Sequence, residues 1–387
     1  MITIDRRSWK SITLGEVAIE YSKRIENPSK SGSDKFIGSE NIGRFDYSIK
    51  NWQSSNDVIS AMKKFEIGDY LLVRRSLYAS DFRERAPKAN IEGLCSGDIL
   101  TIKERKDKIA DNFLYCVLNS SDIWKYIVKN ASGSITRRIK WKELSEFIFN
   151  LPPLNEQKKI ASLFHSIEIS IDQVEGQVKN LNMLQKSLIN GLLGPQPVFG
   201  NLLKDKNLHL FKFGNIAECD KRNRDQQIEI RRFIGLENIE TNNFQLQGWG
   251  DFSNGTTFTK RFTTGDVLFG KRRAYLKKVA IADFDGVCSG DILVIRAKDN
   301  KILQQLLPFY ISSDVFIQHA ISTSAGSLSP RTKWKDLAEL EVSIPDLKTQ
   351  EKILEVLLQF ETTITQLKQQ KTTLQQLKQK LLSEILG

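Results

Sequence analysis

The hexapeptide CSGDIL stands at residues 95–100 and recurs unchanged at 288–293. The strings around it keep their order. FIGSENI (36–42) answers FIGLENI (233–239), and GDYLLVRR (68–75) answers GDVLFGKRR (265–273). GSITRRIKWKELSEF (133–147) answers GSLSPRTKWKDLAEL (326–340), and LPPLNEQKKI (151–160) answers IPDLKTQEKI (344–353). The offset drifts only from 197 to 193 residues, so about half of the 387-residue chain is a tandem copy of the other half. Such a chain folds as two like units. Because no catalytic motif is duplicated, the design suits holding two similar things better than reacting with one.

Within each copy the first part carries short apolar or alternating runs bounded by Gly, Asn and Asp, such as KFIGSENI, GDYLLVR and GDILTIK. These predict strands and turns, followed by short helical segments near 111–130 and 302–322. The second part differs in kind. Ile160, Phe164, Ile167, Ile171, Val174, Val178, Leu181, Leu188 and Leu192 alternate at spacings of four and three, with Gln185 as an interruption. Ile353, Leu357, Phe360, Ile364, Leu367, Leu374, Leu381 and Ile385 do the same, with Lys371 and Lys378 in the missing slots. A narrow seam sustained over several heptads predicts two long coiled-coil helices, each preceded by proline (Pro152–Pro153 and Pro345).

Chain reach sets their direction. A helix of this length is about 50 Å long. The connection from Gly194 to His209 would cover about 55 Å only when fully stretched. An antiparallel pair needs no such stretch. The expectation is therefore an α+β chain: two similar mixed α/β globules separated by two long antiparallel coiled-coil helices, with a pseudo-two-fold internal repeat. The boundaries fall at 1–152, 153–193, a linker at 194–209, 210–345 and 346–387.

Composition narrows the function. Fifty-seven Lys and Arg against forty-six Asp and Glu give a net charge of +11, which favours a polyanionic partner. Four cysteines and three histidines show no metal-ligand spacing, so neither a zinc site nor any other metal site is expected. No apolar run is long enough to span a bilayer, and the N-terminus lacks a secretory apolar core. A cytoplasmic location fits. No phosphate-binding loop and no glycine-rich cofactor turn occurs. Asp98 with Glu104–Arg105–Lys106 loosely resembles a nuclease metal motif, but the second copy has Asp291 with Arg296–Ala297–Lys298 and no carboxylate. The chain's own duplicate breaks the motif, and Asp98 and Asp291 read as turn residues.

Basic clusters are the positive signal. Copy one has Arg74 and Arg75, Arg83 and Arg85, and Arg137 and Arg138 with Lys140. Copy two has Lys271, Arg272 and Arg273, then Lys277, then Arg331 and Lys333. The arginine fork binds a phosphate or the guanine edge with two bonds, and lysine supplies a point charge. Asn41 and Asn238 carry amides suited to adenine.

LPPLNEQKKIASLF (151–164) opening a long helix, the W-K-x-L segments Trp141–Pro152 and Trp334–Pro345, and the GD-strand elements together resemble the specificity subunit of type I restriction–modification enzymes. The second copy departs from the proline-rich motif at Asp346 and Lys348–Thr349. The resemblance spans the whole chain. It implies two target-recognition domains, each reading half of a bipartite asymmetric sequence in double-stranded DNA, and helices that set the spacing. It further implies docking of two methyltransferase subunits on helices 153–193 and 346–387, and restriction–translocase subunits beyond them. S-adenosylmethionine would be bound by those methyltransferases, leaving this chain without a cofactor and without catalysis. The competing reading is a coiled-coil scaffold whose globules bind protein.

Overall fold

The structure, a computed structural model, describes residues 6–28, 31–57, 60–76, 82–193, 197–204, 206–220, 222–223 and 231–386. Residues 194–196 and 205 of the expected linker, and 77–81 of the first copy's variable loop, lie outside them. The fold divides into two compact units, Met1–Gly176 with Lys368–Gly387, and Gln177–Leu367.

The first unit begins by closing on itself. Strand Lys10–Thr13 pairs antiparallel with Ile148–Leu151, bringing the two ends of the globule together before the first long helix starts. A three-stranded sheet follows, with Ile99–Glu104 between Ala18–Glu20 and Tyr70–Val73. A five-stranded sheet holds Gly93–Cys95 parallel to Lys35–Ile37 and antiparallel to Met62–Phe65. Tyr70–Val73 and Gly93–Cys95 are buried at every position, which is why they read as continuous apolar runs rather than alternating ones. The second unit repeats the scheme. His209–Lys212 pairs with Glu341–Ile344, Ile292–Ala297 lies beside Val267–Gly270, and Gly286–Cys288 runs parallel to Arg232–Ile234. Cys95 and Cys288 are buried equivalents whose thiols burial pushes up to about 12, so they fill space as small apolar groups.

The long helices run Leu154–Leu192 and Leu347–Leu386, as the heptad spacing predicts. The first starts directly after Pro153 and the second two residues after Pro345, and each is fastened there by one buried glutamine. Gln157 accepts from the Ala110 amide (2.8 Å) and donates to the Pro152 carbonyl (2.8 Å). Its counterpart Gln350 accepts from Leu303 (2.9 Å) and donates to Pro345 (2.9 Å) and Lys301 (2.8 Å).

Packing divides each helix between the units instead of leaving it as a separate spacer. In the first unit Ile160, Phe164, Ile167 and Ile171 share a core with Leu382 and Ile385 from the end of the chain. There Glu168 meets Lys378 at 2.5 Å and Glu175 pairs with Lys371, so one helix descends as the other rises. In the second unit Ile189, Leu192 and Leu193 pack with Ile353 and Leu357, and Gln185 bonds Glu361 at 2.5 Å. The polar residues that interrupt the sequence seam are therefore met by carboxylates across it. Described residues of the expected linker pack on the second unit. Phe199 and Leu203 are buried in the second unit's core, and the Val198 amide donates to Gly191. Among the described residues no helix is long and apolar enough to cross a membrane.

Candidate nucleic-acid interface

The two arginine-bearing segments of the first unit lie 60 residues apart in sequence and are joined by strand pairing. Arg75–Ser76 pairs antiparallel with Arg137–Arg138, with Arg138 opposite Arg75. Backbone bonds lock the junction: Ile139 donates to the Arg74 carbonyl (3.1 Å), and Arg74 donates to Asp98 (3.0 Å). The Asp98 carboxylate then lies between the two guanidinium groups. Arg75 Nη1 donates to Oδ2 at 2.7 Å and Arg138 Nε to Oδ1 at 3.0 Å.

The second unit builds the same object from equivalent residues. Arg272 bridges to Arg331, Thr332 donates to the Lys271 carbonyl (3.1 Å), and Lys271 donates to Asp291 (2.9 Å). Arg331 grips Asp291 with two bonds, Nε at 2.7 Å and Nη2 at 3.2 Å, and Arg272 Nη1 stands 3.6 Å away. Arg331 holds the Asp291 carboxyl below its usual range, the first of several cationic influences. Even the turn is shared: Ser96 Oγ accepts from the Asp98 amide and Ser289 Oγ from the Asp291 amide, both at 3.2 Å. Asp98 and Asp291 are thus turn residues with a second task that sequence reasoning missed. The signal available was their identity in both copies beside duplicated arginines.

All four arginine side chains remain between 38% and 48% exposed, whereas the aspartates are about half as accessible. A carboxylate that two guanidinium groups share fixes their rotamers while leaving unused N–H groups toward solvent, which suits an anion presented from outside.

The other expected site residues separate into two groups. Lys140 and Lys333 are exposed at the starts of the equivalent short helices Trp141–Leu144 and Trp334–Leu337. Arg83 and Arg273 are exposed, and Arg273 takes a left-handed φ of 52° as its amide donates to Pro330. Other residues are drawn inward. Arg137 donates from Nη2 (2.8 Å) and Nε (3.2 Å) to the Ala131 carbonyl, and Arg85 lies beside Ser39. Lys277 is paired with Asp314, whose carboxyl it holds low. Asn41 and Asn238, expected to face adenine, also hold local backbone bonds. Each caps its own turn, accepting from Gly38 (2.8 Å) and Gly235 (2.9 Å), and Asn238 also donates to Gln247 (3.3 Å). Short polar side chains three residues past a turn start compete for the backbone before any ligand arrives.

The nuclease-like trio does not assemble. Asp98 faces arginines, while the Glu104 carboxyl, pushed up by burial, lies at Lys88 and Tyr70. Among the described residues no group of three or more His, Cys, Asp or Glu could hold a metal ion. A second repeated feature escaped the sequence reading. Lys35 sits 5.5 Å from the Trp52 ring and its counterpart Arg232 4.4 Å from Trp249, each on a half-exposed tryptophan.

A family model for the type I restriction modification DNA specificity domain matches residues 6–182 and 209–378. The chain belongs to that family. The type I restriction enzyme EcoDI specificity subunit of Escherichia coli is 25% identical over 292 residues, covering 66% of this chain and 64% of its own length. A putative type I restriction enzyme MjaX specificity subunit of Methanocaldococcus jannaschii is 22% identical over 300 residues, 73% of this chain and 68% of that one. The match thus spans less than two thirds of the bacterial relative. Two solved structures share the fold of this DNA specificity family member. One, solved for complex assembly and conformational transition of the type I R-M system, has a TM-score of 0.56 at 15% identity over 97% of both chains. The other, the type-I restriction-modification system S subunit from M. genitalium, has a TM-score of 0.54 at 12% identity, covering 100% of this chain and 98% of its own.

Proposed function

We propose that the chain is the DNA-recognition subunit of a type I restriction–modification complex, each unit reading one half of a bipartite, asymmetric target in double-stranded DNA. The observation that carries this reading is the Asp98–Arg75–Arg138 cluster and its duplicate at Asp291, Arg272 and Arg331. Two equal anion-binding surfaces on one chain suit two contacts with one duplex. Phosphate contacts fix the register and loops that differ between the copies read bases.

The long helices, each continuous and each shared between the two units, set the interval between half-targets and offer paired docking faces to methyltransferase subunits. Those subunits bind S-adenosylmethionine and modify the DNA, restriction subunits join them, and this chain itself performs no chemistry. The complex works in the cytoplasm, where its DNA lies.

Genome-wide methylation mapping of the host with and without the gene tests the reading. An asymmetric two-part target that disappears with the gene is expected. A perfect palindrome, or an unchanged methylation pattern, overturns it. DNA binding that is indifferent to salt would instead favour the protein-binding scaffold.

A further inference from the structure

Ile135 and Leu328 are 83% and 91% accessible, the two most exposed large apolar side chains among the described residues. They are also one position of the repeat, 193 residues apart in GSITRR and GSLSPR. Single exposed apolar residues are ordinary on protein surfaces. The two extremes of one molecule falling at one duplicated position, beside duplicated arginines, is a different observation.

Each sits at the tip of a short closed loop. Ser132 and Arg138 exchange backbone bonds of 3.0 and 2.9 Å, and Ala325 and Arg331 exchange two of 3.0 Å. Gly133 and Gly326 turn the chain at φ 134° and 108°, and a Cβ on Gly133 would meet the Thr136 carbonyl oxygen at 2.0 Å. The base of each loop is pinned by the arginine that holds Asp98 or Asp291. An apolar side chain is thus carried on a braced finger whose root attracts phosphate.

Resting on the DNA-recognition reading above, we propose that Ile135 and Leu328 are wedges that enter the duplex between base pairs, one in each half-target, and partly unstack it. Apolar wedges of this size are used where arginines grip the flanking backbone and the DNA bends. The change from Ile to Leu between copies fits such a role, because insertion needs an apolar volume and not a particular base edge. A thymine-methyl contact would demand the same base in both halves.

The test uses the full-length chain and a duplex carrying the mapped target, with 2-aminopurine stepped through each half. The wild type is expected to brighten at one step in each half. Ile135→Ala abolishes the signal in one half only and Leu328→Ala in the other, each weakening binding about tenfold. Their salt dependence stays that of the wild type, because no phosphate contact is lost. Ile135→Leu and Leu328→Ile restore both signals. Alanine variants that bind and unstack like the wild type overturn the wedge, as does a loss confined to methyltransferase binding. A wild type that binds DNA with silent probes refutes the wedge alone. A wild type that binds no DNA removes the recognition reading itself.

Discussion

Lys378 Nζ lies 2.5 Å from Glu168 Oε1 with side chains only 1% and 4% exposed, and the corresponding slot of the second unit pairs Gln185 with Glu361. The correspondence follows the repeat: Glu168 and Glu361 are 193 residues apart, as are Gln185 and Lys378. One seam therefore carries a buried ion pair where the other carries an amide and a carboxylate. Tyr115 donates to the same Glu168 oxygen at 3.0 Å, and the Phe45 carbonyl accepts from Lys378 at 3.1 Å. Every charge in the first slot is thus answered.

Removing one partner strands the other. Lys378→Met is expected to destabilise the first unit by about 3–5 kcal/mol, because a carboxylate is left buried without its cation. Lys378→Met with Glu168→Leu is expected to recover most of that loss. Urea denaturation of the single and double variants checks this. Equal stability of Lys378→Met and the wild type would show that the ion pair carries no weight.

The glutamine that starts each helix makes a matched pair of experiments. Gln157→Ala orphans the Ala110 amide and one bond at the Pro152 carbonyl, and Gln350→Ala orphans Leu303, Lys301 and Pro345. A buried group left without a partner costs about 1–3 kcal/mol. Both variants should unfold earlier, and hydrogen exchange should rise first at Ala110 and Leu303. Protection unchanged at those amides would count against the fastening role.

These elements also show what could be read from the chain alone. The heptad spacing locates both helices, because burial of one stripe leaves a 3.5-residue period in the sequence. Gln185, Lys371 and Lys378 look like flaws in that period only because the carboxylates opposite them lie far away in sequence. The arginines are legible as clusters, yet Asp98 is not, since only the pairing of Arg75 with Arg138 brings a turn carboxylate between them. The local role of Asn41 is hidden for the opposite reason. Its side-chain oxygen accepts from the Gly38 amide three residues away, a local bond that composition does not reveal.

Acid should loosen the second cluster. Arg331 and its cationic neighbours hold Asp291 below its ordinary carboxylate value, so the folded group keeps its charge to lower pH than the unfolded one. A depressed carboxylate contributes stability that is present above the unfolded value near 3.8 and is lost as pH falls through the folded one. The wild type is expected to lose stability more steeply than Asp291→Asn as the pH falls below the unfolded value near 3.8. Identical acid limbs in the two proteins would dismiss the contribution.

The aspartates should also govern how the arginines meet DNA. Arg138→Ala and Arg331→Ala are expected to weaken binding to target and mixed-sequence duplexes alike, each flattening the salt dependence by about one unit. Asp98→Asn works in the opposite sense. It removes a negative charge from between Arg75 and Arg138, so binding to mixed-sequence DNA should strengthen and its salt dependence should steepen. Target binding should gain less, because the guanidinium groups lose the carboxylate that orients them, and the ratio of target to mixed-sequence affinity should fall. Fluorescence anisotropy of the full chain across salt measures both slopes. A loss confined to the target duplex, with the slope unchanged, would instead make these arginines base readers.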